Sequence, residues 1–260
     1  MSLTYSSYLK LDQLLDLQEP RSTPPEHDEM LFIVIHQVYE LWFKLLMHEF
    51  EKIEADFSGN DLFDAIHTFK RARTIMKTLV SQVDILETMT PMSFSSFRDR
   101  LDRASGLQSV QFRELEFALG YKRPEVIEPI RPGTPHREEL VRRFTERSVI
   151  DHFYDFLEHR GVLIPPELRR KDPQAPNVPN AQVQDGLVHL YKTQPEATAL
   201  LELMTDVDEG LQEWRYRHVK AVERTIGHKL GTGGSAGVDW LKKSLFQPLF
   251  PDLWAIRHRL

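Results

Sequence analysis

Two of the eleven histidines lie where a neutral imidazole could bind a metal or transfer a proton. His36 follows the unbroken apolar run 30–35 and shares a helix face with Phe32, one turn earlier, with Glu40 one turn later. His218 lies in the segment LQEWRYRHVKAVERTIG, and the remaining histidines are mostly in polar settings typical of surfaces. A histidine among apolar residues is usually a core residue bonded to a carbonyl. The functional alternative is an imidazole held for chemistry.

His218 lies on a stripe of apolar residues at three- or four-residue spacing. The stripe consists of Leu211, Trp214, Ala221, Val222 and Thr225, and the basic Arg215, Arg217, Lys220 and Arg224 are expected mostly on the other faces. Two such histidines on separate buried helices would suit a haem, with one as the axial ligand and the other on the distal side.

A third candidate is Arg98, in the segment TPMSFSSFRDRL, beside Phe94 and Phe97 and near a helix start. An arginine there could clamp a carboxylate through two parallel hydrogen bonds, with the aromatic rings as pocket walls. The alternative is an ordinary surface arginine.

The glycine-rich segment 231–237, GTGGSAG, is predicted to be a loop. It formally matches the dinucleotide fingerprint, but the fingerprint requires a preceding strand, and here a helix is expected. The segment is therefore either a plain loop or a lid whose amides and Thr232 hydroxyl close over a ligand.

Other catalytic motifs are incomplete. The zinc-protease pattern begins at His48-Glu49, but Lys52 stands where the second histidine ligand is needed. A di-iron bundle needs two Glu-x-x-His motifs, and the nearest match is Asp64-Ala-Ile-His67, once. No G-x-S-x-G element is present. The chain has no cysteine, which excludes disulfides, thiolate ligands and cysteine nucleophiles.

The composition is that of a globular protein, with 260 residues, 41% hydrophobic and 28% charged. The net charge of −6 argues against nucleic acid as a partner. No signal peptide is evident, and the longest apolar run, 30–35, is too short to cross a membrane. We therefore expect a cytoplasmic protein with no membrane partner.

The elements that must position these residues are helices, because apolar periodicity is helical throughout and no alternating run is long enough for a sheet. We predict one all-α domain, 1–260, a bundle of long helices with irregular Pro-rich loops at 120–135 and 165–179. The first predicted helix spans about 24–56 and starts with a capping box at Thr23–Glu26. A second, capped by Asn60, has apolar positions up to Leu86 and ends before a break at Thr90-Pro91. Further helices are predicted at about 93–119, 136–160, 195–227 and from 238 to the end.

Six segments in this order together resemble the tryptophan 2,3-dioxygenase family, and the middle, 121–205, matches loosely. Phe94 and Val83 depart from residues found in some members. The segments are LTYSSYLKLDQLL (3–15), HDEMLFIVIHQVYELWFKLLMHE (27–49), ILETMTPMSFSSFRDRL (85–101), SGLQSVQFRELEFALG (105–120), WRYRHVKAVERTIGHKLGTGGSAGV (214–238) and FPDLWAIR (250–257).

The resemblance implies a haem b enzyme that cleaves the indole C2–C3 bond of L-tryptophan with O2, giving N-formylkynurenine. It implies that His218 is the axial ligand of the haem iron and that His36 faces the indole N–H. It also implies a homotetramer in which segment 1–15 packs on a neighbouring subunit. The further residues that it implies are Phe32, Phe94, Phe97, Arg98, Leu101 and Thr232 for substrate, Ser105 and Gly106 for haem, and Tyr5 and Tyr8 for the neighbour's pocket.

Three alternatives stay open at this stage. A monooxygenase of the same superfamily would act on an indole derivative and incorporate one oxygen atom rather than two. A haem sensor or carrier would bind the group without turnover. A helical scaffold without haem would use both histidines for packing alone.

Overall fold

The computed structural model describes residues 2–227, 229–232 and 237–260, and these residues form helices and turns without a strand. The prediction of a single all-α domain is confirmed. The α-helices of the described residues are α1 (Tyr5–Leu9), α2 (Leu11–Leu14), α3 (His27–Ser58), α4 (Leu62–Leu86), α5 (Pro91–Arg98), α6 (Val110–Ala118), α7 (Pro135–Thr145), α8 (Val149–His159), α9 (Pro166–Arg169), α10 (Ala181–Thr193), α11 (Pro195–Ile226), α12 (Val238–Lys242) and α13 (Pro251–Ala255).

The core is built on three long helices, with α4 packed against both α3 and α11. On α3, Leu46, Phe50, Ile53 and Phe57 recur every three or four residues and are almost completely buried. The same helix is the one among the described elements with the length and composition to cross a membrane. Core helices of soluble proteins pass that test too, and these four side chains belong to the main core.

The start of α3 differs from the capping box predicted at Thr23. The helix begins at His27, and its cap residue Glu26 makes no side-chain capping bond. The Ser22 hydroxyl accepts the Glu26 N–H at 2.8 Å, and the buried Glu29 carboxylate accepts the Ser22 N–H at 3.0 Å. Ser22 rather than Thr23 therefore serves the Glu26 amide. Similarly, Asp61 rather than Asn60 caps α4.

Two predicted helices are each divided in two, because short polar residues cap new helices within an otherwise helical pattern. The segment 93–119 is interrupted between α5 and α6, where Asp102 has φ +49° and Ser109 caps α6. The segment 136–160 is divided between α7 and α8 by a capping box of Ser148 and Asp151. In place of the single helix predicted from 238 to the end, the structure has α12, a turn region and α13. Helix α10 had not been predicted from the sequence.

The C-terminal segment is fastened to α11 by one buried carboxylate. Asp208 accepts hydrogen bonds from the Leu249 and Phe250 amides and from the Trp254 indole, each at 2.9 Å. Arg215, two helical turns further along α11, donates to the Gln247 carbonyl at 3.1 Å. The segment therefore closes over the part of α11 that precedes His218.

Candidate active site

A cavity of about 240 Å³ lies among α3, α4, α5, α6 and α11. At about 30 Å³ for each water in the liquid, it offers room for roughly eight waters. Its walls are mainly apolar and aromatic, with a few polar side chains. Both His36 and His218 line it, so α3 and α11 bring the two predicted histidines to one space.

His36 is fixed in one tautomer by its own helix. Its Nδ1 lies 2.6 Å from the Phe32 carbonyl oxygen, and because a carbonyl only accepts, Nδ1 carries the proton. Burial lowers the pKa of His36, although the Phe32 carbonyl and the charge of Glu40 act in the other direction. The neutral ring therefore offers Nε2 as an acceptor. The Phe32 ring packs against it, with centroids 4.2 Å apart.

His218 is also a neutral imidazole at pH 7. Burial, with smaller contributions from the charges of His36 and Arg113, lowers its pKa to about 4. Its ring is nearly parallel to that of Trp214, with an interplanar angle of 5° and centroids 5.2 Å apart. Among the residues described, nothing makes a hydrogen bond to His218. A neutral ring with a free lone pair is the form in which histidine binds a metal.

Arg98 lies at the rim of the cavity and is joined to the glycine-rich segment. Its Nη2 donates to the Leu230 carbonyl at 2.7 Å, and the Thr232 hydroxyl donates to the Ala104 carbonyl. Arg98 Nε is buried, and no acceptor for it exists in the described parts of the chain. The side chain forms no salt bridge with the described carboxylates, which leaves a cation available to a ligand. Positions 233–236 of the predicted loop lie outside the described residues.

The aromatic wall beside Arg98 is a small core of its own. Phe32 and Phe94 line the cavity, and their rings are 5.7 Å apart. Phe97 is fully buried behind them, 5.4 Å from Phe94 and 5.6 Å from Phe32. Phe97 thus supports the wall without reaching the cavity.

A buried cluster of one carboxylate and three arginines forms another part of the wall. Glu116 accepts from Arg113 at 2.5 Å, Arg123 at 2.6 Å and Arg215 at 2.9 Å. Burial alone would raise the pKa of Glu116, but Arg113, Arg215 and Arg123 outweigh it and the pKa is lowered. Arg113 and Arg215 both line the cavity. The cluster therefore presents an excess of positive charge to any bound group.

The structure brings most of the predicted site residues together at this cavity and leaves three outside it. Phe97 lies behind the wall, and Tyr5 and Tyr8 of α1 are 77% and 70% exposed and do not reach the cavity of their own chain. Those that line it are Phe32, His36, Phe94, Arg98, Leu101, Ser105, Gly106, His218 and Thr232.

Many cavity residues were not singled out from the sequence, among them Tyr39, Arg113 and Trp240. Arg215 was expected mostly on another face of its helix, yet it is only 3% exposed. Its position three residues before His218 places the two side chains on neighbouring parts of one face. That spacing was the signal that could have identified it.

The chain is similar over nearly its whole length to proteins of one family. The sequence profile described as tryptophan 2,3-dioxygenase matches residues 1–163 and 181–260. A tryptophan 2,3-dioxygenase of Herpetosiphon aurantiacus is 51% identical over 256 residues, 98% of each chain. One from Anaeromyxobacter sp. (strain K) is 49% identical over 263 residues, 100% of this chain and 97% of the relative, and one from Saccharopolyspora erythraea is 39% identical over 258 residues, 98% and 92%. The chain belongs to the tryptophan 2,3-dioxygenase family.

Proposed function

We propose that this protein is a haem-dependent dioxygenase that cleaves the indole C2–C3 bond of L-tryptophan with O2 to give N-formylkynurenine. The observation that carries the proposal is that two neutral imidazoles, His36 and His218, line one cavity, and that Arg98 at its rim has no salt-bridge partner among the described carboxylates. The names of relatives that align over nearly the whole chain support the same reaction.

The residues present fit haem b. His218 would hold the iron, because its neutral ring lines the cavity and is not engaged by a described hydrogen-bond partner. The excess positive charge of Arg113 and Arg215 suits the propionate carboxylates. Ser105 and Gly106 line the cavity and would contact the group as well. When bound, the haem supplies the iron at which O2 is activated.

The chain's own residues would bind and orient the amino acid. Arg98 would pair with the carboxylate through its guanidinium, and Thr232 on the adjacent segment would help to hold the amino-acid end. His36 would accept the indole N–H at Nε2, the atom left free by the Nδ1 bond to Phe32. Phe32, Phe94 and Leu101 would enclose the ring and keep water out of the site.

We also propose a homotetramer in the cytoplasm, with no membrane or nucleic acid partner. The N-terminal segment exposes Tyr5, Tyr8 and Leu15, and helices of this length are marginal in water unless they dock. Two residues of α3, Val34 and Leu41, are also exposed apolar side chains, 41% and 51%. Another subunit would cover these surfaces, and residues 1–15 would complete the neighbour's pocket.

The first prediction tests the reaction and the iron ligand together. The purified wild-type protein should contain haem and convert L-tryptophan with 18O2 to a product that carries both labelled atoms. His218→Ala should purify with little haem, and free imidazole should restore part of it, because the lost ligand is an imidazole. Exposed His189 on α10 offers the matched control, so His189→Ala should retain haem. A product with one labelled atom would show a monooxygenase, and full haem occupancy in His218→Ala would refute the ligand assignment.

The second prediction concerns Arg98. Loss of a charge-assisted pair in a dry pocket costs roughly 2–5 kcal/mol, so Arg98→Ala should lower kcat/KM for L-tryptophan by about one and a half to three and a half decades. Haem content should not change, and Arg103→Ala, which alters an exposed neighbour, should have wild-type kinetics. Unchanged kinetics in Arg98→Ala would identify it as an ordinary surface residue.

The third prediction concerns pH and His36. Because burial lowers the pKa of His36 from its ordinary 6.5, Nε2 should remain an acceptor below pH 6.5. The wild-type kcat/KM should thus hold as pH falls through 6.5 and decline only at more acidic pH, when the ring becomes protonated. His36→Ala should be less active and lack this acid limb.

A substrate analogue provides the control for His36. 1-Methyltryptophan has no indole N–H to donate, so the wild type should lose with it the advantage over His36→Ala that it shows with L-tryptophan. An acid limb at or above pH 6.5, or the same limb in His36→Ala, would show that another group sets the pH profile.

The fourth prediction concerns the assembly. Deleting residues 1–9 should lower activity and loosen the tetramer while haem remains on His218. Mixing that variant with full-length His218→Ala should restore some activity, because one chain supplies the haem and the other supplies the tyrosines. The same mixture with Tyr5 and Tyr8 also changed to Ala in the His218→Ala chain should restore none. A fully active full-length monomer in light scattering would contradict the proposal.

A further inference from the structure

The imidazole of His218 packs against an aromatic ring. Trp214 lies one helical turn before His218 on α11, and the two rings are 5° from parallel. Metal-ligating histidines are usually oriented by a hydrogen bond from their second ring nitrogen. Within the residues that the structure describes, His218 has no such bond, so the stacked indole is the group that restrains its plane.

Trp214 is itself clamped by three other rings. Phe43 of α3 meets it edge to face at 89°, with centroids 5.9 Å apart, and Phe112 of α6 lies 4.9 Å away. Tyr39 approaches at 6.0 Å and 68°, and its hydroxyl donates to the Leu79 carbonyl of α4 at 3.0 Å. Trp214 is only 7% exposed. The indole thus cannot turn without moving residues of α3 and α6.

We propose that Trp214 is a positioning residue for the iron ligand. Its indole face blocks rotation of the His218 ring about the Cβ–Cγ bond and selects one orientation of the imidazole plane at the metal. The inference rests on the proposed function, because it requires that His218 binds haem iron. The aromatic residues of α3 and α6 that surround Trp214 would then help to orient the iron ligand, in addition to packing the core.

The test compares variants that keep or remove the aromatic face. Trp214→Leu removes it, and Trp214→Met does so with a longer side chain, so either serves if one fails to fold. Trp214→Phe retains a face. Phe69→Leu is the control for general loosening of the core, because Phe69 is fully buried on α4 and does not line the cavity. The measurements are the Fe–His stretching band of the reduced holoprotein in resonance Raman spectra and the rate of haem transfer to apomyoglobin.

We expect Trp214→Leu and Trp214→Met to broaden and shift the Fe–His band and to release haem about two- to tenfold faster, the factor expected for one lost aromatic pair. Trp214→Phe should restore most of both properties, and Phe69→Leu should match the wild type in both. An unchanged band in Trp214→Leu or Trp214→Met, or an equal effect of Phe69→Leu, would overturn the inference while leaving the proposed function intact. A wild-type protein that takes up no haem would instead overturn the proposed function.

Discussion

The carboxylate of Glu116 joins parts of the chain that are far apart in sequence. Its three arginines come from α6, from the segment that follows α6, and from α11, and all four side chains are largely buried. Removing one member of a buried ionic group leaves uncompensated charge and typically costs about 3–5 kcal/mol. Arg215 also bonds the C-terminal segment, so the cluster holds α6, α11 and that segment together around the cavity. The positions of the other cavity residues depend on this junction.

Burial, rather than a charged partner, is the main cause of the lowered pKa of both cavity histidines. The carbonyl of Phe32 selects the tautomer of His36, and stacking on Trp214 sets the plane of His218. In both cases burial keeps the imidazole unprotonated at neutral pH. A low-dielectric cavity therefore keeps the imidazole on α3 and the imidazole on α11 neutral by the same physical effect.

The sequence predicted the helical class, and most of the site residues that it predicted line the cavity, because both depend on local periodicity and short motifs. The apolar stripe around His218 and the placement of Arg98 beside Phe94 are signals of this kind. Helix ends were predicted less well, since capping by Ser109 and Ser148 interrupts a pattern that otherwise continues. Burial of Arg215 depends on Glu116, a partner 99 residues away, and a window of neighbouring residues does not reveal such a contact.

The register of α11 constrains where the chain can change in length. Asp208, Trp214, Arg215 and His218 act through one continuous helix. A single inserted residue between 208 and 218 would turn one group relative to the others by about 100° and shift it by about 1.5 Å. The C-terminal segment and His218 would then no longer face their partners together. By contrast, residues 164–180 fall outside the family match and contribute nothing to the cavity wall. The cavity therefore does not fix the length of that Pro-rich stretch, although Ile164 and Leu168 within it belong to the main core. A change of length in the middle of α11 would instead disrupt the cavity itself.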